Sequence, residues 1–180
     1  MIAGIERLNI VGGNRIEHHK NMDKQQQPMK PAVNDLYREH FALINSWENV
    51  ETVLVTSEEA KRDMIYGIDV VLNTIDGRRI TVQEKLLSWH EDTLTIQVQS
   101  CEGRLGTWYS CTADLYLVAY AKNSKRTDQL RSWILVDRPK LKQWKNLPWQ
   151  RQPNNNDGKV IFDFLPFDLV PGKCVVARTI

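Results

Sequence analysis

The chain predicts an α/β fold, a mixed β-sheet flanked by helices with an antiparallel hairpin portion. Three observations predict it. An amphipathic helical segment comes first, two β-rich runs then flank an Asp-Gly pair, and a strand, a mixed segment, another strand and a short helical segment follow.

Each element has a local reason. Residues 1–33 read as a flexible arm, because "KNMDKQQQPMKP" is polar, Gln-rich and closed by prolines. Residues 34–180 then form a single domain. The helix is expected over 34–47. Asn34 and Asp35 are good N-cap residues, and Leu36, Tyr37, His40, Phe41, Ile44 and Trp47 recur at spacings of three and four. "ETVLVTS" (51–57) predicts a strand. "IDVVLNT" and "RRITVQEKLL" around Asp76-Gly77 predict a hairpin, because such a turn needs positive φ. "TLTIQVQS" (93–100) predicts the next strand. Residues 107–121 suit a helix or a strand, and the favoured reading is a helix from about Trp108 to Leu115 that leads into strand "YLVAYA". Residues 132–137 predict a strand, and 138–146 a short helix with Pro139 near its start. Residues 151–159 predict a loop, and 160–170 a last strand and turn.

The 180-residue length suits one domain, and a net charge of +2 offers no global polycation argument. The charge is unevenly spread: residues 121–151 carry nine Lys or Arg against two Asp, which suits an anionic partner. Cys101, Cys111 and Cys174 are odd in number and form no Cys-x-x-Cys pair, so a disulfide framework or zinc ribbon is not expected and a reducing cytoplasm is. No apolar run approaches the roughly 20 residues that span a bilayer, so no membrane association is expected. The N-terminus carries no continuous apolar stretch of the secretory type.

The chemistry centres on the hairpin. Alternation puts Thr81, Gln83, Lys85 and Leu87 on one face of its second strand and Val82, Glu84 and Leu86 on the other. Asp69 comes from the partner strand. A carboxylate, a carboxamide oxygen and a lysine at one place suit phosphodiester hydrolysis. The two oxygens can hold Mg²⁺, and the lysine can stabilise charge developing at phosphorus or orient a water. Register decides the meeting. A strict two-residue Asp76-Gly77 turn puts Asp69 opposite Glu84, whereas a bulge or a three-residue loop returns Asp69 to the face of Gln83 and Lys85.

The stretch "GID", a hairpin, then "VQEK" resembles the PD-(D/E)XK nucleases of the restriction-endonuclease-like fold, whose pattern is an Asp, a spacer, then Glu, Asp or sometimes Gln, any residue and Lys. "RDMIYGIDVVL…ITVQEK" looks particularly like phage-type and uncharacterised members. The resemblance covers roughly residues 34–146, where the fold's order of helix, three-stranded meander, helix and strand also fits. It implies a Mg²⁺- or Mn²⁺-dependent nuclease acting on DNA, with Asp69, Gln83 and Lys85 catalytic and Asp69 and Gln83 on the metal. A Glu from the first helix completes the metal site in several members, which implies Glu39 here. Gln83 is neutral where most members carry an acid, so the site leans on Glu39 or Asp63, or is inactive. In that case the chain is a nucleic-acid-binding or protein-interaction module on the same fold. Paired cuts need two sites, which a homodimer would supply.

Among the basic residues, Arg131, Arg138, Lys140, Lys142 and Lys145 are the candidate phosphate contacts, with Trp133, Trp144 and Trp149 interleaved. Glu39 and Asp63 also suit plain solvated acids, and Cys111 suits the core. No P-loop, dinucleotide fingerprint or zinc spacing occurs.

Overall fold

A computed structural model describes residues 27–40, 44–49, 67–88, 91–100, 103–123, 126–153 and 160–179. Its organising element is the hairpin of β2 (Val70–Thr74) and β3 (Arg79–Leu87). The Thr74 amide donates to the Arg78 carbonyl at 2.9 Å and Gly77 takes φ +80°, so the loop is the three residues Ile75, Asp76 and Gly77. Only a residue without a Cβ adopts that φ at little cost. Val70 therefore stands opposite Val82 and Asn73 opposite Arg79.

Upstream, a 3₁₀ turn (Gln27–Met29) leads into α1 (Lys30–His40), with Pro31 in the first helical turn, where its missing N–H costs nothing. β1 (Ile44–Asn49) pairs antiparallel with β2. Two expectations change here. The packed unit begins by Gln27 rather than at residue 34, since Met29 and Val33 are buried. Residues 44–47, expected to be helical, form a strand: Asn45 and Ser46 are weak helix formers, and the edge of β2 offers this stretch a ladder, with a register shift between Ile44 and Ser46. The strand expected at 51–57 lies outside the described residues.

β3 then passes to β4 (Thr93–Gln99), the four-residue α2 (Thr107–Ser110) and β5 (Leu115–Asn123), which returns parallel to β3. β6 (Arg126–Asp137) pairs antiparallel with β5, and β9 (Val175–Arg178) with β6. The larger sheet has the order β1-β2-β3-β5-β6-β9 and is mixed. α3 (Arg138–Gln143) follows β6 directly, with the Asp137 carboxylate accepting from the Lys140 amide as its N-cap. β4 leaves the larger sheet and forms a second one, β4-β8-β7, with β8 (Ile161–Pro166) and β7 (Gln150–Pro153). Residues 151–153, expected in a loop, thus belong to an edge strand, where Pro153 is tolerated.

The expected helix at 108–115 shrinks to one turn for a reason outside the segment. Buried Arg138, only 4% exposed, donates to the carbonyls of Trp108 (3.1 Å), Cys111 and Ala113 (3.4 Å). Those carbonyls are satisfied without a continuing helix.

Two apolar layers result. On one face of the larger sheet, Met29, Val33, Leu36 and Tyr37 pack on Val70, Val82, Leu117 and Leu135. On the other, Tyr116, Val118 and Ile134 pack with Leu94, Ile96 and Leu165 of the smaller sheet and with Trp108 and Leu141 of the short helices. Among the described residues no helix is long and apolar enough to cross a membrane.

Candidate functional site at the hairpin

The three-residue loop sets the register that the site depends on, and a bulge refines it. Val82 is paired with Val70, yet its carbonyl also accepts from the Asp69 amide at 2.9 Å. Two consecutive residues thus face one, which is the mark of a bulge at the entry to β2. The Asp69 carboxylate then accepts from the backbone amide of Glu84 at 2.6 Å. Asp69 therefore meets β3 at the residue between Gln83 and Lys85, through its backbone.

The neighbours Gln83, Glu84 and Lys85 diverge as alternation requires. Glu84 points to α1, where its carboxylate, 3% exposed, accepts from the Lys30 ammonium (2.6 Å) and the Tyr37 hydroxyl (2.7 Å). Burial, then the Glu84 charge, pushes the Tyr37 hydroxyl well above its ordinary range, so it stays a donor. Gln83 points the other way, against Gly67 and Cys111. A Cβ on Gly67, which holds φ +59°, would lie 3.1 Å from the Gln83 Nε2 and 3.2 Å from the Cys111 Cβ. The Cys111 thiol donates to the Gly67 carbonyl at 3.3 Å, and burial raises its pKa, keeping it neutral. Gln83 Oε1 is buried and has no hydrogen-bond partner among the described residues.

Lys85 shares the face of Gln83 and reaches the smaller sheet, where its ammonium stands 4.2 Å from the centre of the Phe162 ring. Burial lowers its pKa from 10.5 to about 8. Among the described residues it has no ion-pair partner, and the charge of Asp69 is felt instead by Cys111 and Tyr116.

The remaining candidates scatter. Glu39 is exposed on α1. It lies two residues from Tyr37, about 200° around the helix axis, so the turn that aims Tyr37 at the sheet aims Glu39 at solvent. α1 also covers the Glu84 face, so Glu39 is not brought to Gln83 and Lys85. Asp63 lies outside the described residues. Among the described residues no group of three or more His, Cys, Asp or Glu is placed to hold a metal ion.

Of the five basic candidates, Arg138 is corrected outright: it is buried against three backbone carbonyls and cannot reach a phosphate. The sequence holds no sign of this, since Arg138 sits in a run of otherwise solvated bases. Arg131, Lys140, Lys142 and Lys145 are exposed. They do not form one patch, because Arg131 stands six residues before the end of β6, roughly 20 Å from α3 at the rise of a strand. Lys140 is paired with Asp137 at 2.8 Å, whereas Lys142 donates to the Tyr109 carbonyl at 3.2 Å. The Lys30–Glu84–Tyr37 cluster and the Gly67–Cys111 contact were not anticipated either, since both depend on which element lands on which face.

Compared with known proteins, the chain matches no protein-family model, no curated protein and no solved structure.

Proposed function

We propose that the chain is a metal-dependent nuclease of the restriction-endonuclease-like fold that hydrolyses phosphodiester bonds of DNA with Mg²⁺ or Mn²⁺. The observation that carries this reading is the buried Gln83 Oε1, without a partner among the described residues, on the strand whose next amide is held by Asp69. Leaving such an oxygen unpaired costs about 1–3 kcal/mol, so its retention points to a ligand. A hard cation takes carboxylate and carboxamide oxygens together. The path from α1 through the meander β1-β2-β3 to β5, parallel to β3, with β4 and one turn of helix in the crossover, supports this reading.

Asp69 and Gln83 would hold the ion, which when bound polarises a phosphate oxygen and acidifies a water. Lys85 does the proton work. With a pKa of about 8, roughly half of it is neutral at pH 8 and can accept a proton at Nζ, while the charged half can stabilise negative charge at phosphorus. Phe162 keeps the lysine head against an apolar surface and away from bulk water.

A second reading is a catalytically inactive module of the same fold that binds nucleic acid or protein. Lys85 favours it, because its ammonium rests on Phe162 and, among the described residues, no acid pairs with it. Supercoiled plasmid and single-stranded DNA incubated with Mg²⁺ or Mn²⁺ separate the two. Cleavage that falls on the order of 10²-fold or more in Asp69→Asn and Lys85→Ala, and survives in Gln83→Glu, supports the nuclease. Cleavage undiminished in the first two variants overturns the site. Binding with no cleavage by the wild type selects the inactive module.

A further inference from the structure

Beside the Gly67–Cys111 contact, α3 presents two cations, Arg138 and Lys142, to the backbone of α2 and the residues after it. Arg138 is buried with its N–H groups on backbone carbonyls and its Nε unpartnered. Lys142 is exposed and donates to the Tyr109 carbonyl. Among the described residues neither pairs with a carboxylate, and the charge of Arg138 adds to burial in lowering the Lys142 pKa. Both cations act on Cys111, as does Asp69, so the Cys111 thiol lies within electrostatic reach of all three. Tyr109 lies over the same rim and is 46% exposed, unusually open for a residue beside a packed core. Arg151, exposed and steadied by Asp163 at 2.8 and 2.9 Å, is close enough to interact electrostatically with Tyr109. An open ring bordered by Lys142, which pairs with no carboxylate among the described residues, and by Arg151, whose guanidinium keeps N–H groups beyond those held by Asp163, suits a strand that offers both a phosphate and the face of an unpaired base. A duplex keeps its base faces stacked and offers only the phosphate.

We infer that the rim formed by Tyr109, Lys142 and Arg151 seats a single-stranded or locally unpaired stretch of nucleic acid, with a base on Tyr109 and phosphates on the two cations. This rests on the nuclease reading for its purpose and names that site's substrate class. Trp144, at the other flank of α3, is equally open at 47% but hydrogen-bonds toward Cys174, so it lies off the path and serves as the control.

The test is fluorescence anisotropy of a labelled 20-nucleotide thymidine strand and a 20-base-pair duplex in EDTA, so that binding is read without cleavage. The full chain should bind the single strand more tightly. Tyr109→Ala should weaken that binding about 5- to 100-fold, Tyr109→Phe should restore it, and Trp144→Ala should leave it within twofold. Lys142→Gln should flatten the salt dependence of log K by about 0.7. Equal affinity for duplex, no effect of Tyr109→Ala, or equal displacement by polyglutamate would overturn the inference. The two proposals fail separately. Asp69-dependent cleavage that ignores Tyr109 keeps the nuclease and removes the rim, while Tyr109-dependent binding with no cleavage keeps the rim and removes the nuclease.

Discussion

Glu84 and its two neighbours share one strand and differ in almost everything else. Glu84 turns to α1 and finds an ammonium and a hydroxyl at hydrogen-bond distance. Gln83 and Lys85 turn to the smaller sheet, where Gln83 keeps a buried oxygen without a partner and Lys85 keeps a charge against an aromatic ring. One face is a finished junction between helix and sheet. The other holds polar groups that cost stability and are not repaid within the described fold. Polar groups left in that condition mark function more often than architecture, because nothing in packing requires them.

Substitutions on the two faces should therefore move stability in opposite directions. The largest effect belongs to the finished face. Glu84→Ala takes the shared buried acceptor away from the Lys30 ammonium and the Tyr37 hydroxyl and should cost about 3 kcal/mol or more in urea unfolding. Little change there would erase the contrast.

Lys85→Met should do the reverse. The folded pKa of Lys85, about 8, lies below its ordinary 10.5, so the unfolded chain holds more protons between these values. The penalty is fully present below pH 8 and disappears as pH rises toward 10.5. Lys85→Met should thus stabilise the protein by up to about 3 kcal/mol at pH 7, with the advantage fading across that window in denaturation curves taken at each pH.

Gly67→Ala tests the floor beneath Gln83. Alanine at φ +59° is strained, and its methyl would press on Gln83 and Cys111, for a cost of about 1–3 kcal/mol in thermal unfolding. The smallest effect is expected from Gln83→Leu, which removes the unpaired oxygen at similar volume and should stabilise by about 1 kcal/mol. A destabilised Gln83→Leu would mean that the carboxamide already has what it needs.

The hairpin was legible because its signal is local. Asp76-Gly77 between β-rich runs defines a turn that few other residues could make, and alternation then separates Glu84 from Gln83 and Lys85 whatever lies beyond. The length of the loop was not legible, since two- and three-residue turns share that dipeptide, and a single residue decides which side chain faces Asp69. The stretch 44–47 shows the same limit, because helical spacing over four residues is outweighed by an open sheet edge.

The sequence by itself determined the α/β alternation, the hairpin, and the division of β3 into two chemically unlike faces, since each follows from propensity and periodicity along a short stretch. Only the tertiary structure decided that α1 covers Glu84, that Glu39 turns away, and that Arg138 is buried to hold the loop behind Cys111. Those outcomes depend on which element packs on which face. Packing is settled by the fit of whole surfaces, and no side chain carries that information alone.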